Sequence, residues 1–158
     1  MTSDFDAMLC DRLVAQMPEA VIFADRDGRI RLWNRGAEVV FGHASTDVAG
    51  KSLDIIIPEY LRQRHWEGYH RALAEGHTRS GDRVLPTKAL RKDGATIYVE
   101  LSFAVVLDDT GAAIGALAVG RNITEKFAED KARRRRLAAL EEEVAARARH
   151  AGPGGDAA

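Results

Sequence analysis

Apolar residues recur at helical spacing near the start of the chain and alternate with polar residues soon after it. Over residues 4–17 the apolar positions lie three and four apart, and Pro18 ends the pattern, which predicts a short amphipathic helix. Residues 20–25 form an apolar run, and residues 29–33 alternate strictly between apolar and polar. An Asp-Arg-Asp-Gly turn joins the two segments, so this part of the chain predicts a β-hairpin with one buried face.

The middle of the chain predicts helices. Residues 34–58 contain glycines at positions 36, 42 and 50, which predicts short helices joined by tight turns. Pro58 then opens a longer predicted helix, Glu59–Glu75, which Gly76 ends as a C-cap.

Three further strand patterns follow, at residues 82–91, 96–107 and 113–123. The turn sequences between them, Lys-Asp-Gly at 92–94 and Asp-Asp-Thr-Gly at 108–111, predict two more hairpins. Two strands, then helices, then three strands predict an α+β fold with a five-stranded antiparallel sheet that buries one face against the helices.

The composition changes abruptly at Thr124. No glycine or proline occurs from there to residue 151, and alanine, arginine, lysine and glutamate dominate, which predicts one long exposed helix. A partial apolar stripe suits a short coiled-coil seam, although a solvated helix face also fits; the stripe consists of Leu137, Leu140, Val144 and Ala148.

The predicted organisation is an N-terminal helix at 1–18, a core domain at 19–123, an exit helix at 124–150 and a disordered tail at 151–158. The last eight residues contain three glycines and a proline and no apolar anchor.

Composition and charge exclude several classes of protein. The 158 residues are 46% hydrophobic and 30% charged with a net charge of -1, which fits one domain plus an appendage and gives no field to attract nucleic acid or an anionic membrane. The longest apolar stretch, residues 112–120, is too short to span a bilayer. The N-terminus carries acids where a secretory signal carries bases, so we expect a cytoplasmic location. Cys10 is the single cysteine, so an internal disulfide is excluded.

Four short motifs occur in order along the predicted core: Trp33-Asn34, Phe41-Gly42, Lys92-Asp93-Gly94 and Arg121-Asn122-Ile123-Thr124. Together with the order of elements, they resemble the PAS sensor-domain family over residues 5–124. The resemblance implies the PAS fold and a sensory role, and it leaves the ligand to be argued from the pocket. Flavin-binding light sensors and the photoactive yellow protein need a pocket cysteine, which Cys10 does not supply. In the last motif, Asn122 stands where the family usually has an acid.

One of the five histidines, His65, lies where a ligand-binding residue is needed. Helical spacing predicts one core-facing side of the 59–75 helix, formed by Leu61, His65, Gly68 and Ala72. An imidazole beside the space that a glycine leaves is what an axial haem ligand requires. The other histidines are predicted to be exposed or in turns, at positions 43, 70, 77 and 150.

The segment RQRHWEGYHR resembles the haem-ligating helix of the PAS domains in oxygen-sensing kinases of nitrogen fixation and in direct oxygen-sensing phosphodiesterases. The resemblance implies haem b, with His65 as the proximal iron ligand and Arg71 paired with a propionate. Leu85 stands where the kinases have a distal arginine, and Arg83 stands where the phosphodiesterases have a distal methionine. Alternation along a strand predicts that Arg83 and Leu85 share a face, which makes Arg83 either a distal hydrogen-bond donor or an exposed strand arginine.

Several neighbours of His65 complete the predicted site. Tyr69 and Trp66 are interpreted as packing residues or as walls of a pocket for a flat ligand. The other predicted walls are Val84, Leu85, Leu101 and Ala118.

Alternatives to haem remain open at this point. A lone histidine on an apolar helix face is also typical of a hydrogen-bonded core residue, so a ligand-free PAS module for dimerisation or partner docking, or one that binds a different small ligand, fits too. The chain has no phosphate loop, zinc signature, nucleophile elbow, kinase motif or diguanylate cyclase motif, so we predict that it is not an enzyme. We expect a homodimer, formed through the N-terminal helix, the exit helix or both, that signals to a downstream protein.

Overall fold

The computed structural model describes residues 4–81 and 83–152. The chain divides into two units, residues 1–123 and residues 124–158. The first unit contains, in chain order, α1 (Asp4–Gln16), β1 (Ala20–Asp25), β2 (Ile30–Trp33), α2 (Arg35–Phe41), α3 (Ser45–Val48), a 3₁₀ helix (Leu53–Ile56), α4 (Glu59–Glu75), β3 (Leu85–Leu90), β4 (Thr96–Leu107) and β5 (Ala113–Asn122). The second unit contains α5 (Thr124–His150). Asp82 and most of the predicted disordered tail, residues 153–158, lie outside the described residues.

The five strands form one antiparallel sheet in the order β2-β1-β5-β4-β3. Three hairpins join β1 to β2, β3 to β4 and β4 to β5, at the turns that the sequence predicts. The α+β fold with a five-stranded antiparallel sheet is confirmed.

The predicted third strand starts too early. The pattern predicts a strand from residue 82, whereas β3 begins at Leu85. The backbone N–H of Arg83 donates to the carbonyl of Ser80 at 3.1 Å, so Arg83 still belongs to the preceding turn, and Gly81 in that turn has a φ of +55°. The backbone N–H of Arg83 is therefore bonded within the turn and does not pair with a neighbouring strand.

The side chain of Asn34 ties the start of the sheet to the first helices. Its Oδ1 accepts from the backbone N–H of Val21 at 2.8 Å and from that of Ala37 at 2.9 Å, and the second bond caps α2. Its amide nitrogen donates to three backbone carbonyls around the end of α1, those of Val14, Met17 and Glu19. Because Asn34 is only 5% exposed, these bonds are shielded from water.

Two aromatic side chains fix α4 to the hairpin of β1 and β2. The Trp66 ring packs directly on Gly28, where a Cβ would overlap the ring, and Gly28 has a φ of +73° that favours glycine. The indole N–H of Trp66 donates to Asp54 Oδ1 at 2.8 Å. The hydroxyl of Tyr69 donates to the carbonyls of Ala24 and Asp25, at 3.0 and 2.6 Å. These contacts hold α4 against the helix-facing side of the sheet.

The second unit is a helix of 27 residues with no buried residue. Its apolar stripe is exposed, as the sequence predicts for a lone helix, and Leu137, Leu140 and Val144 are 54%, 48% and 67% exposed. Among the described residues, the helices are all too short or too polar to cross a bilayer.

Candidate functional site

A cavity of about 460 Å³ lies between α4 and the sheet. One side is formed by the 3₁₀ helix and α4, and the other by β3 and the facing residues of the central strands. Its lining is mainly apolar, which suits a largely apolar ligand. The lining includes Leu61, Arg64, His65, Tyr69, Leu85, Thr87, Lys88, Val99, Leu101 and Ala118.

His65 is half-buried and lines this cavity. Its Nε2 atom is buried and has no hydrogen-bond partner among the described residues. Such an atom is unusual, because buried side-chain nitrogens are almost always hydrogen-bonded unless they serve a ligand or a water molecule. The rings of Trp66 and Tyr69 lie 4.9 and 5.9 Å away, measured between centroids.

The surroundings of His65 favour its neutral form. Burial lowers its pKa, and the nearby carboxylate of Asp54 only partly opposes that effect. A histidine that stays neutral keeps a lone pair on one ring nitrogen, which is the form that binds a metal.

The core-facing side of α4 differs from the prediction. Leu61 and His65 line the cavity as expected, but the next residue on that side is Tyr69, which is 9% exposed and is the one fully buried residue of α4. Gly68 is half-buried and stands outside the lining, where an added Cβ would approach Arg71 Nη2 at 3.9 Å. An exact spacing of four residues therefore describes this helix better than the predicted spacing of four, three and four. The small residue at 68 opens space on the flank of α4 instead of in the cavity.

Tyr69 is the buried polar group that the sequence did not distinguish from ordinary packing. Burial raises the pKa of Tyr69 to about 12, so its hydroxyl remains a donor at neutral pH. That hydroxyl is bound to the end of β1, while its ring borders the cavity.

On the opposite wall, alternation along β3 places Leu85, Thr87 and Ala89 towards the cavity. Leu85 pairs with Leu101 and Thr87 with Val99, and all four of these residues line the cavity. Thr87 is a polar side chain on this wall that sequence reasoning missed.

Two predicted residues before β3 do not reach the cavity. Arg83 is exposed and precedes the strand, so it does not share a strand face with Leu85 as predicted, and it is not part of the lining. Val84 is 49% exposed and is not a wall. The other predicted walls, Leu85, Leu101 and Ala118, do line the cavity.

Arg71 is exposed and is not part of the lining. Its guanidinium reaches the flank of α4 beside Gly68. Within residues 4–81 and 83–152 it makes no ion pair.

Three other histidines of the first unit, His43, His70 and His77, are not part of the cavity lining. His70, His77 and His150 are exposed, as predicted. His43 is half-buried in the connection between α2 and α3. Its ring packs edge-on against Trp33 with centroids 6.4 Å apart, and its Nε2 is buried without a partner among the described residues. In the part of the chain that the structure describes, no group of three or more metal-ligating side chains is assembled. A site for haem needs only an axial ligand from the protein.

Two sequence relatives match about half of this chain. An uncharacterised protein of Azorhizobium caulinodans is 39% identical over 85 residues, which cover 53% of this chain and 12% of the relative. The sensor protein FixL of Bradyrhizobium diazoefficiens is 32% identical over 88 residues, which cover 54% of this chain and 17% of FixL. The chain therefore spans less than a fifth of the length of these relatives.

The fold is shared with solved structures of very different sequence. The PAS domain of a protein from Colwellia psychrerythraea superposes with a TM-score of 0.66 at 19% identity, over 75% of this chain and 98% of that one. Residues 14–127 match the family model described as PAS fold, which spans the whole sheet and the helices around the cavity. This chain belongs to the PAS fold family.

Proposed function

We propose that this PAS domain is a sensor that binds haem b through His65, responds to a diatomic gas or to the redox state of the iron, and signals through the C-terminal helix of a dimer. The observation that carries the proposal is the buried, unpartnered Nε2 of His65 on the wall of an apolar cavity. A PAS domain of this kind is typical of signalling proteins, and the relative named as a sensor protein supports that role.

The residues around the cavity fit haem in three respects. The volume of about 460 Å³ falls within the range of roughly 300–1,000 Å³ that ligand pockets occupy. The lining is apolar apart from a few side chains at its edge, as a macrocycle with a polar edge requires. His65 supplies a neutral imidazole, since burial holds its pKa below the ordinary value.

The Nε2 atom of His65 is covered by protein. Iron binding therefore requires either rotation of the imidazole into the cavity or movement of the groups that cover it. A buried nitrogen without a hydrogen-bond partner destabilises the protein by about 1–3 kcal/mol. Binding of Nε2 to iron would remove that penalty and so offset part of the free energy of the rearrangement.

Arg71 is the residue that the resemblance implies for a propionate. Its position on the flank of α4, exposed and without an ion pair within the described residues, leaves its guanidinium available for a carboxylate. Arg71 lies outside the cavity lining, so a propionate must extend beyond the cavity to reach it.

Bound haem would supply an iron atom that binds a diatomic gas. The β3 residues that face the cavity are Leu85, Thr87 and Ala89, and Arg83 does not join them. No arginine of β3 therefore donates to a bound gas, and we expect carbon monoxide or nitric oxide to bind more stably than oxygen. The hydroxyl of Tyr69 bonds α4 to the end of β1 beside the cavity.

The test is a hemin titration of the purified chain, followed by the Soret band. We expect the wild type to bind one hemin and His65→Ala to lose that band, whereas the matched variant His70→Ala keeps it because His70 is exposed on the same helix. A wild type that takes up no hemin would remove the proposal. An unchanged band in His65→Ala would mean that another residue ligates the iron.

A ligand-free module for dimerisation is the second candidate, and the exposed apolar stripes favour it. Phe5, Met8, Leu9 and Leu13 on α1 are exposed, as is the stripe of α5. In both candidates the domain binds or docks and does not catalyse a reaction. We expect light scattering to give the mass of a dimer, and a monomer at tens of micromolar would contradict both the dimer and this second candidate.

A further inference from the structure

Arg64 is the cationic side chain of the cavity lining. His65 also lines the cavity, but burial lowers its pKa and favours the neutral form, and the ammonium of Lys88 lies over the Tyr98 ring on the other face of the sheet. None of the described lining residues is an aspartate or a glutamate. An apolar cavity with an arginine and no carboxylate discriminates against cationic ligands, because like charges repel in a site of low dielectric.

Arg64 is the basic residue that is free to bind a ligand. It is exposed, yet it lines the cavity, which places it at the rim. Within residues 4–81 and 83–152 its guanidinium has no hydrogen bond or ion pair. Lys88 differs, since its ammonium lies 5.8 Å from the centroid of the Tyr98 ring, its partner across the strands on the other face of the sheet.

The flank of α4 beside Arg64 is bare. Arg64, Gly68 and Arg71 lie at helical spacings of four and three, so they share this flank. At Gly68 an added Cβ would have only the Arg71 guanidinium near it. A ligand group that leaves the cavity beside His65 therefore meets Arg64 before any other side chain of this flank.

We infer that the cavity selects amphipathic carboxylates, with the apolar body inside and the carboxylate bound by Arg64 at the rim. The inference rests on the proposed function in that haem is one member of this class, but it assigns the anion-binding role to a residue that lines the cavity itself. A planar guanidinium binds a carboxylate through two parallel N–H···O bonds, which suits this role better than an ammonium does.

Iron-free protoporphyrin IX and its dimethyl ester provide the test, because they share the apolar ring and differ in the carboxylates. Binding is measured by porphyrin fluorescence on the full chain. We expect wild type to prefer the acid to the ester and Arg64→Gln to weaken acid binding about tenfold, which corresponds to about 1.4 kcal/mol. Ester binding should stay unchanged, and Arg64→Lys should recover part of the loss. Arg26→Gln removes an exposed arginine of the β1–β2 turn and is the charge-matched control.

Equal affinity of wild type for acid and ester, equal acid affinity of wild type and Arg64→Gln, or binding of neither porphyrin would each overturn the inference. Its failure is distinguishable from failure of the proposed function. Acid-selective porphyrin binding without a hemin Soret band would keep the anion site and remove iron ligation by His65. A His65-dependent Soret band with an Arg64→Gln variant of unchanged affinity would do the reverse.

Discussion

Replacing Asn34 by alanine tests how the α1–β1 connection is held to the sheet. The substitution leaves the buried N–H of Val21 without its acceptor and removes the cap from Ala37 at the start of α2. A helix cap contributes about 1 kcal/mol, and an unsatisfied buried donor costs about 1–3 kcal/mol. The donations to the carbonyls of Val14 and Glu19 at 3.0 Å add smaller contributions. We expect Asn34→Ala to lower the free energy of unfolding by about 3 kcal/mol, a large part of the stability of a domain of this size.

The assay is urea denaturation followed by circular dichroism, with the slope and the midpoint fitted separately for wild type and each variant. Ser52→Ala is the matched control, because Ser52 caps the 3₁₀ helix through a single bond to the N–H of Asp54 at 3.2 Å. That variant should cost about 1 kcal/mol or less. Asn34→Ser can restore the cap of α2 without the longer contacts, so its stability should lie about 1 kcal/mol above that of Asn34→Ala.

A cost for Asn34→Ala no greater than that of Ser52→Ala would refute this reasoning. It would mean that water replaces the bonds of Asn34 after the substitution, although the native side chain is shielded. A change in the urea slope as well as in the midpoint would show instead that α1 separates from the domain before the sheet unfolds.

Three further predictions concern α2 and α4. Gly36→Ala should destabilise the protein by about 2 kcal/mol in thermal or urea unfolding, because the added Cβ would overlap the carbonyl of Glu19. Gly68→Ala should stabilise the protein without added ligand by about 0.5–1 kcal/mol, because the added Cβ would have only the Arg71 guanidinium near it. A change of the same sign in both variants would contradict this difference in packing. Tyr69→Phe should cost about 1–2 kcal/mol through the lost bonds to β1, and no loss in urea unfolding would refute them. Because burial lowers the pKa of His65 in the folded state, the unfolded chain binds more protons at acidic pH. The contribution of His65 to stability is therefore full above about pH 6.5 and is lost as the pH falls below that value. His65→Gln should flatten the dependence of the free energy of unfolding on pH, and an unchanged dependence would count against burial of His65 as its cause.

The fold could be predicted from the sequence because local signals agree with one another. The bounds of β1, β4 and α4 coincide with their predicted segments. Gly28 follows β1, Gly94 and Gly111 lie in the turns on either side of β4, and Pro58 and Gly76 border α4. The predicted start of β3 is wrong because Arg83 and Val84, which precede the strand, are residue types that also occur in strands. The hydrogen bond from Arg83 to Ser80 has no signature in composition.

The sequence predicts the position of His65 in the candidate site correctly and the residues around it less well. His65 could be found because its position on α4 follows from helical spacing, and the spacing also placed Leu61 beside it. Tyr69 was underrated because periods of three and four are both helical, and which one faces the core depends on where α4 crosses the sheet. That Thr87 and Arg64 line one cavity could not be predicted, because it depends on β3 and α4 lying on opposite walls. The separation of β3 and α4 is set by the whole sheet and has no local sequence signal.

The position of Tyr69 links the cavity to the strand that starts the sheet. Its ring lies 5.9 Å from that of His65, and its hydroxyl binds the carbonyls of Ala24 and Asp25 at the end of β1. Those two residues pair with Ala116 and Gly115 at the start of β5, and β5 ends at Asn122, two residues before the exit helix begins. If a ligand that rotates the His65 ring also moves Tyr69, the shift would act on the two β1 carbonyls that accept from the Tyr69 hydroxyl. It would then also act on the pairing of β1 with β5. We therefore expect Tyr69→Phe to leave ligand affinity at His65 nearly unchanged while reducing any ligand-dependent change in the exchange of β5 amide hydrogens.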